Sequence, residues 1–122
     1  MILPVVILTG DLFFSAKIEA VAEVVGIPVV FVTSREDLER ALDDTGGAGA
    51  RRVLIDLNHR EAEPTETIQV LKSRPDPPLV VAFGPHREGE AFRAARQAGA
   101  DRILARSAFV ERLPDLLRGE DG

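Results

Sequence analysis

Five short apolar runs recur along the chain, separated by stretches in which apolar positions fall every three or four residues. The runs cover residues 3–8, 27–32, 52–57, 78–83 and 102–105, and they are rich in Val, Ile and Leu. Most show no alternation of apolar and polar positions. That is the pattern of parallel strands buried on both faces. Between them, Phe14, Ile18, Val21, Ala22 and Val25 form one helical stripe that ends at Gly26. Ser34 and Asp37 make a capping-box-like start before Leu38, Ala41 and Leu42. Pro64 suits a first helical turn before Ile68 and Leu71. Ala91, Phe92, Ala94, Ala95 and Ala98 form a small-residue stripe that runs to Gly99. A last helix holds Leu113, Leu116 and Leu117, and Pro114 predicts that it begins near Glu111.

Strand and helix thus alternate five times. The pattern predicts an α/β, flavodoxin-like, doubly wound parallel sheet of five strands in three αβα layers, because parallel strands need helical crossovers. The expected strand order is 2-1-3-4-5. The Gly-rich stretch 46–49 follows a helix, so it reads as a surface turn and not as a phosphate loop. With 122 residues the chain is expected to form a single domain over 1–118, followed by a flexible tail at 119–122.

Composition narrows the chemistry. There is no cysteine, which excludes disulfides, thiolate metal sites and a cysteine nucleophile. The net charge of −5 argues against a duplex-DNA surface, so no nucleic-acid partner is expected. No apolar run approaches the ~20 residues that a bilayer requires, and the first residues lack the basic start of a signal peptide. No membrane association is expected, and a cytoplasmic location is the default expectation.

In such sheets, ligands bind at the carboxyl ends of the strands. The residues placed there are Thr9, Gly10 and Asp11; Asp56, Leu57 and Asn58; Phe83, Gly84, Pro85 and His86; and Arg106 and Ser107. The candidate pocket is therefore Asp11, Asp56, Asn58, His86, Arg106 and Ser107. Several of these residues also have plainer readings. Asp56 reads equally as a strand-end carboxylate that caps a loop. Asp11 is expected to cap the first helix, and Ser107 to cap or turn the chain. His86 and His59 are expected to be solvated loop residues. Phe13 is either cover for the top of the sheet, the favoured expectation, or an exposed anchor for another protein.

The stretch Val53-Leu54-Ile55-Asp56-Leu57-Asn58, the run at 78–83, and Gln97-Ala98-Gly99-Ala100-Asp101 leading into Ile103-Leu104-Ala105-Arg106 together resemble the response-regulator receiver domains, the CheY-like family. The resemblance covers nearly the whole length. It implies Asp56 as the phosphoacceptor candidate, and Asn58 as the residue whose carbonyl would help Asp11 and Asp56 hold Mg²⁺. The departures are as informative. The family's acidic pair falls on Thr9 and Gly10, with Asp11 one place late. Its switch hydroxyl falls on Phe83 or Gly84, its switch aromatic on Ile103, and its lysine on Arg106. Magnesium binds through carboxylates in near-octahedral oxygen cages, and this set is poor for it. Arg106 is expected to pair with Asp56 or Asp11 where a metal would sit.

The expectation is therefore a degenerate pseudo-receiver. It is not an enzyme, needs no cofactor, and docks a protein partner such as a histidine kinase or another signalling protein, or forms a homodimer. Two alternatives stand beside it. One is an atypical response regulator phosphorylated on Asp56. The other is a small-anion or nucleotide binder that uses the strand-carboxyl edge.

Overall fold

The computed structural model describes residues 3–44, 51–85 and 89–119. The Gly-rich turn at 46–49, His86 and the tail at 120–122 lie outside the described residues. β1 (Val5–Leu8) leads to α1 (Leu12–Val25), β2 (Val29–Val32), α2 (Arg35–Asp43) and β3 (Arg52–Asp56). A single 3₁₀ turn at Arg60–Ala62 then precedes α3 (Pro64–Lys72), β4 (Leu79–Gly84), α4 (Glu90–Ala98), β5 (Arg102–Ala105) and α5 (Arg106–Arg118). All strand pairs are parallel, in the order β2-β1-β3-β4-β5, as the alternating pattern predicts.

Successive strand residues point to opposite faces, so each run splits between two apolar layers. Val6, Leu8, Val53, Ile55, Val80 and Ala82 pack under α2, α3 and α4. Val5, Ile7, Leu54, Val81 and Phe83 pack under α1 and α5. The central strands are buried along almost their whole length, which is why their sequences do not alternate. On the second face, Phe14, Phe83 and Phe109 meet, with ring centroids 4.1–5.7 Å apart. Tilted and offset arrangements of this kind add to simple burial.

Local signals set the helix ends. Ser34 Oγ accepts from the Asp37 amide at 3.1 Å, and Pro64 opens α3. Gly26 ends α1 with φ 75°, a left-handed conformation that disfavours any residue with a Cβ, and its N–H donates to the Ala22 carbonyl.

Two expectations are corrected here. α5 begins at Arg106, not near Glu111, and carries Pro114 in its interior. Phe109, Leu113, Leu116 and Leu117 are all buried against the sheet, and this continuous stripe outweighs the one hydrogen bond that proline removes. Phe13 does not cover the sheet: it is 91% exposed. Phe14, Ile18 and Ala22 take the inward face of α1, which turns the neighbouring position outward.

One structural device is not visible in the sequence. Arg51 is buried at the start of β3 and donates from Nε and Nη2 to the Pro4 carbonyl at 3.1 and 2.9 Å. It thus ties the entry of β1 to that of β3. Burial lowers its pKa from the ordinary arginine value.

Candidate functional site

The carboxyl ends of β1 and β3 meet the first turn of α5, and the charged residues converge there. Asp56, the last residue of β3, is buried. Its Oδ2 accepts from Thr9 Oγ1 at 2.8 Å, and its Oδ1 accepts from the Asn58 amide at 2.9 Å. Burying a carboxylate is costly unless it is paired and hydrogen-bonded. Both oxygens are satisfied here by the loops that follow β1 and β3.

Asp11 caps α1, as expected, with Oδ1 accepting from the Phe14 amide at 3.0 Å. Its other oxygen faces Arg106, with Nη1 3.5 Å from Oδ2. The second arm of the same guanidinium, Nη2, lies 3.9 Å from Asp56 Oδ1. Arg106 therefore spans the two carboxylates. Its position is fixed on a further side, because the guanidinium carbon lies 4.6 Å from the centroid of the Phe14 ring. A guanidinium over an aromatic face is attracted by the ring's quadrupole. Arg106 Nε is buried with no hydrogen-bond partner among the described residues.

The other candidates take lesser places. Asn58 contributes its backbone amide and is exposed. Ser107 is exposed in the first turn of α5. It is not the cap, because Ala105 holds that position. His59 is partly buried rather than freely solvated, with Nε2 2.7 Å from the Thr33 carbonyl. A Cβ on Gly10 would come within 2.8 Å of the His59 ring, so this close approach needs glycine. Sequence reasoning missed Thr9 as a functional contact. Its partner is 47 residues away, and nothing local marks its hydroxyl as a donor.

This donor set fits Mg²⁺ poorly. One Asp11 oxygen is held by the helix amide, and both Asp56 oxygens already accept hydrogen bonds. The remaining approach is taken by a cationic fork. Among the described residues, no group of three acidic, histidine or cysteine side chains is arranged to hold a metal. Hard divalent ions are bound by several free oxygens, and two engaged carboxylates facing an arginine do not supply them.

The architecture and strand order are those of the response-regulator receiver domains, the CheY-like version of the flavodoxin-like fold. The chain is similar to a response regulator in red light signaling of R. palustris, at 17% identity and TM-score 0.75, over 93% of this chain and 91% of that one. It is also similar to a receiver domain from Rhodospirillum rubrum, at 21% identity and TM-score 0.73, over 93% and 89%. A third is the signal receiver domain of a putative Luxo repressor protein from Vibrio parahaemolyticus, at 12% identity and TM-score 0.78, over 98% and 90%. No protein-family model matches the sequence, and no curated protein matches it significantly. No helix among the described residues is long and apolar enough to cross a membrane.

Proposed function

We propose that this chain is a pseudo-receiver: a non-catalytic signalling and protein-interaction module of a two-component-like pathway, working in the cytoplasm without a metal cofactor. Its partner is a protein, either a histidine kinase or another signalling protein. The observation that carries this reading is Arg106 lying against both Asp11 and Asp56, while Thr9 donates to Asp56 from one of the two positions of the receiver acidic pair.

Phosphoryl transfer to a carboxylate needs two things. The attacking oxygen must reach phosphorus in line, and the charge on the transferring group must be neutralised. Asp56 is buried, and both of its oxygens are engaged. Among the described residues, the cation beside Asp56 is Arg106, which is held by two carboxylates and an aromatic ring. A guanidinium fixed in this way supports a standing ion-paired cluster better than it supports turnover. The same commitment weighs against an anion or nucleotide site, for which Arg106 would have to leave both partners.

Incubation with acetyl phosphate and MgCl₂, followed by intact-mass measurement under mild acid, tests the reading. We expect no added phosphoryl group, and calorimetry should show no sub-millimolar Mg²⁺ binding. A stoichiometric, magnesium-dependent phosphoryl adduct on Asp56 would establish an atypical working response regulator instead.

A further inference from the structure

β2 and β3 do not touch, because β1 lies between them in the sheet. The loops that follow these two strands are nevertheless joined. His59, three residues past the end of β3, donates from Nε2 to the carbonyl of Thr33 at 2.7 Å, and Thr33 directly follows β2. A carbonyl only accepts, so Nε2 carries the proton of this bond. The main chain of His59 is fixed as well, its amide donating to the Asp56 carbonyl at 3.1 Å. Strands two places apart in a sheet are separated by about 9–10 Å. The imidazole therefore reaches across the end of β1.

The ring crosses against Gly10. A Cβ there would be 2.8 Å from His59 Nδ1 and 2.9 Å from Cε1. The φ of Gly10 is not positive, so its backbone would accept alanine, and the His59 ring is what excludes it. Gly10 sits between the two residues of the β1–α1 loop that hold the acidic site. Thr9 Oγ1 donates to Asp56 Oδ2 at 2.8 Å and accepts from the Asp11 amide at 3.2 Å. Asp11 in turn caps α1 and faces Arg106.

We propose that His59 is a strap across the β1–α1 loop and that it governs access to Asp56. Closed, the ring holds Gly10 in place, which keeps the Thr9 hydroxyl on Asp56 and Asp11 beside Arg106. Before the loop lifts away from Asp56, the bond from His59 to Thr33 must break and the ring must swing aside. Release is local. Neither His59 nor Thr33 belongs to the two apolar layers, so the strap opens while the sheet stays packed. This control is separate from the question of whether Asp56 accepts a phosphoryl group. A phosphoryl adduct on the parent chain would overturn the pseudo-receiver reading and leave the strap standing.

Native-state hydrogen exchange on the full chain tests the proposal, together with labelling of Asp56 by a water-soluble carbodiimide and an amine, read by peptide mass mapping. In His59→Ala the amides of Asp11 and Asn58, which donate to Thr9 and to Asp56, should exchange about tenfold faster, the factor that one ordinary hydrogen bond is worth. Asp56, buried in the parent, should become labelled. The Asp101 amide, which donates to the Val80 carbonyl at the opposite end of the sheet, should change only as far as global stability in urea changes. Gly10→Ala should produce the same two effects by pushing the ring aside. Added to His59→Ala, it should bring no further acceleration, because the atoms it strikes are gone. Both substitutions leave the apolar layers intact, and either one alone carries the comparison with Asp101. The proposal is overturned if Asp11, Asn58 and Asp56 stay as protected in these variants as in the parent, or lose protection only in step with Asp101. It is equally overturned if Gly10→Ala has the same effect with and without the His59 ring.

Discussion

Thr9 offers the sharpest test of how the buried carboxylate is held. Thr9→Val keeps the shape of the side chain and removes the hydroxyl that donates to Asp56 at 2.8 Å. Donor and acceptor are both almost completely buried, so water cannot replace the lost bond. A hydrogen bond to a charged group contributes roughly 1.5–3 kcal/mol, and an acceptor left short inside the protein costs a similar amount. Asp56 keeps the Asn58 amide, with Arg106 nearby, so we place the loss at about 2 kcal/mol at neutral pH. For a domain of this size that corresponds to a fall in Tm of roughly 5–10 °C. Urea unfolding should show a lower midpoint with an unchanged slope. Thr9→Ser, which keeps the donor and loses one methyl, should cost less than about 1 kcal/mol. The decisive measurement is the double-mutant cycle. In an Asp56→Ala background, Thr9→Val should cost about 1–2 kcal/mol less than in the parent. If the two costs are equal, Thr9 is merely packed and the proposed holding of Asp56 is wrong.

Three further outcomes are expected. Asp11→Ala should lower stability by about 1 kcal/mol through loss of the α1 cap, whereas Asp11→Asn, which can still accept from the Phe14 amide, should lose much less; thermal melts distinguish them. Phe83→Ala should cost roughly 3–5 kcal/mol in chemical denaturation, because its fully buried ring touches both Phe14 and Phe109. Pro114→Ala should raise stability by about 1–3 kcal/mol by restoring a backbone donor inside α5, and an unchanged or lower melting temperature would contradict that account.

The sheet was legible because β1, β3 and β4 bury both faces and so announce themselves as unbroken apolar runs. The capping of α1 by Asp11 and of α2 by Ser34 was legible for a different reason: these contacts close within three residues. The start of α5 was not legible. Pro114 carries a strong local signal, while the burial that overrides it depends on where Phe109 lands against the sheet. Phe13 was misread because an apolar residue in sequence carries no record of which side of its helix finds cover. Thr9 escaped because its role exists only once β1 and β3 lie side by side. The convergence of Asp11, Asp56 and Arg106 followed from the fold class. The cation–π contact with Phe14 required coordinates.

That last contact gives Arg106 two employers. Its charge answers the acidic loops at the sheet's edge, and its guanidinium covers the ring of Phe14, which itself packs on Phe83 and Phe109. A shorter cation here would keep the sign and uncover the ring, while an apolar replacement would shield the ring and strand the acids. Substitution at this position is thus constrained from both sides, by charge and by packing.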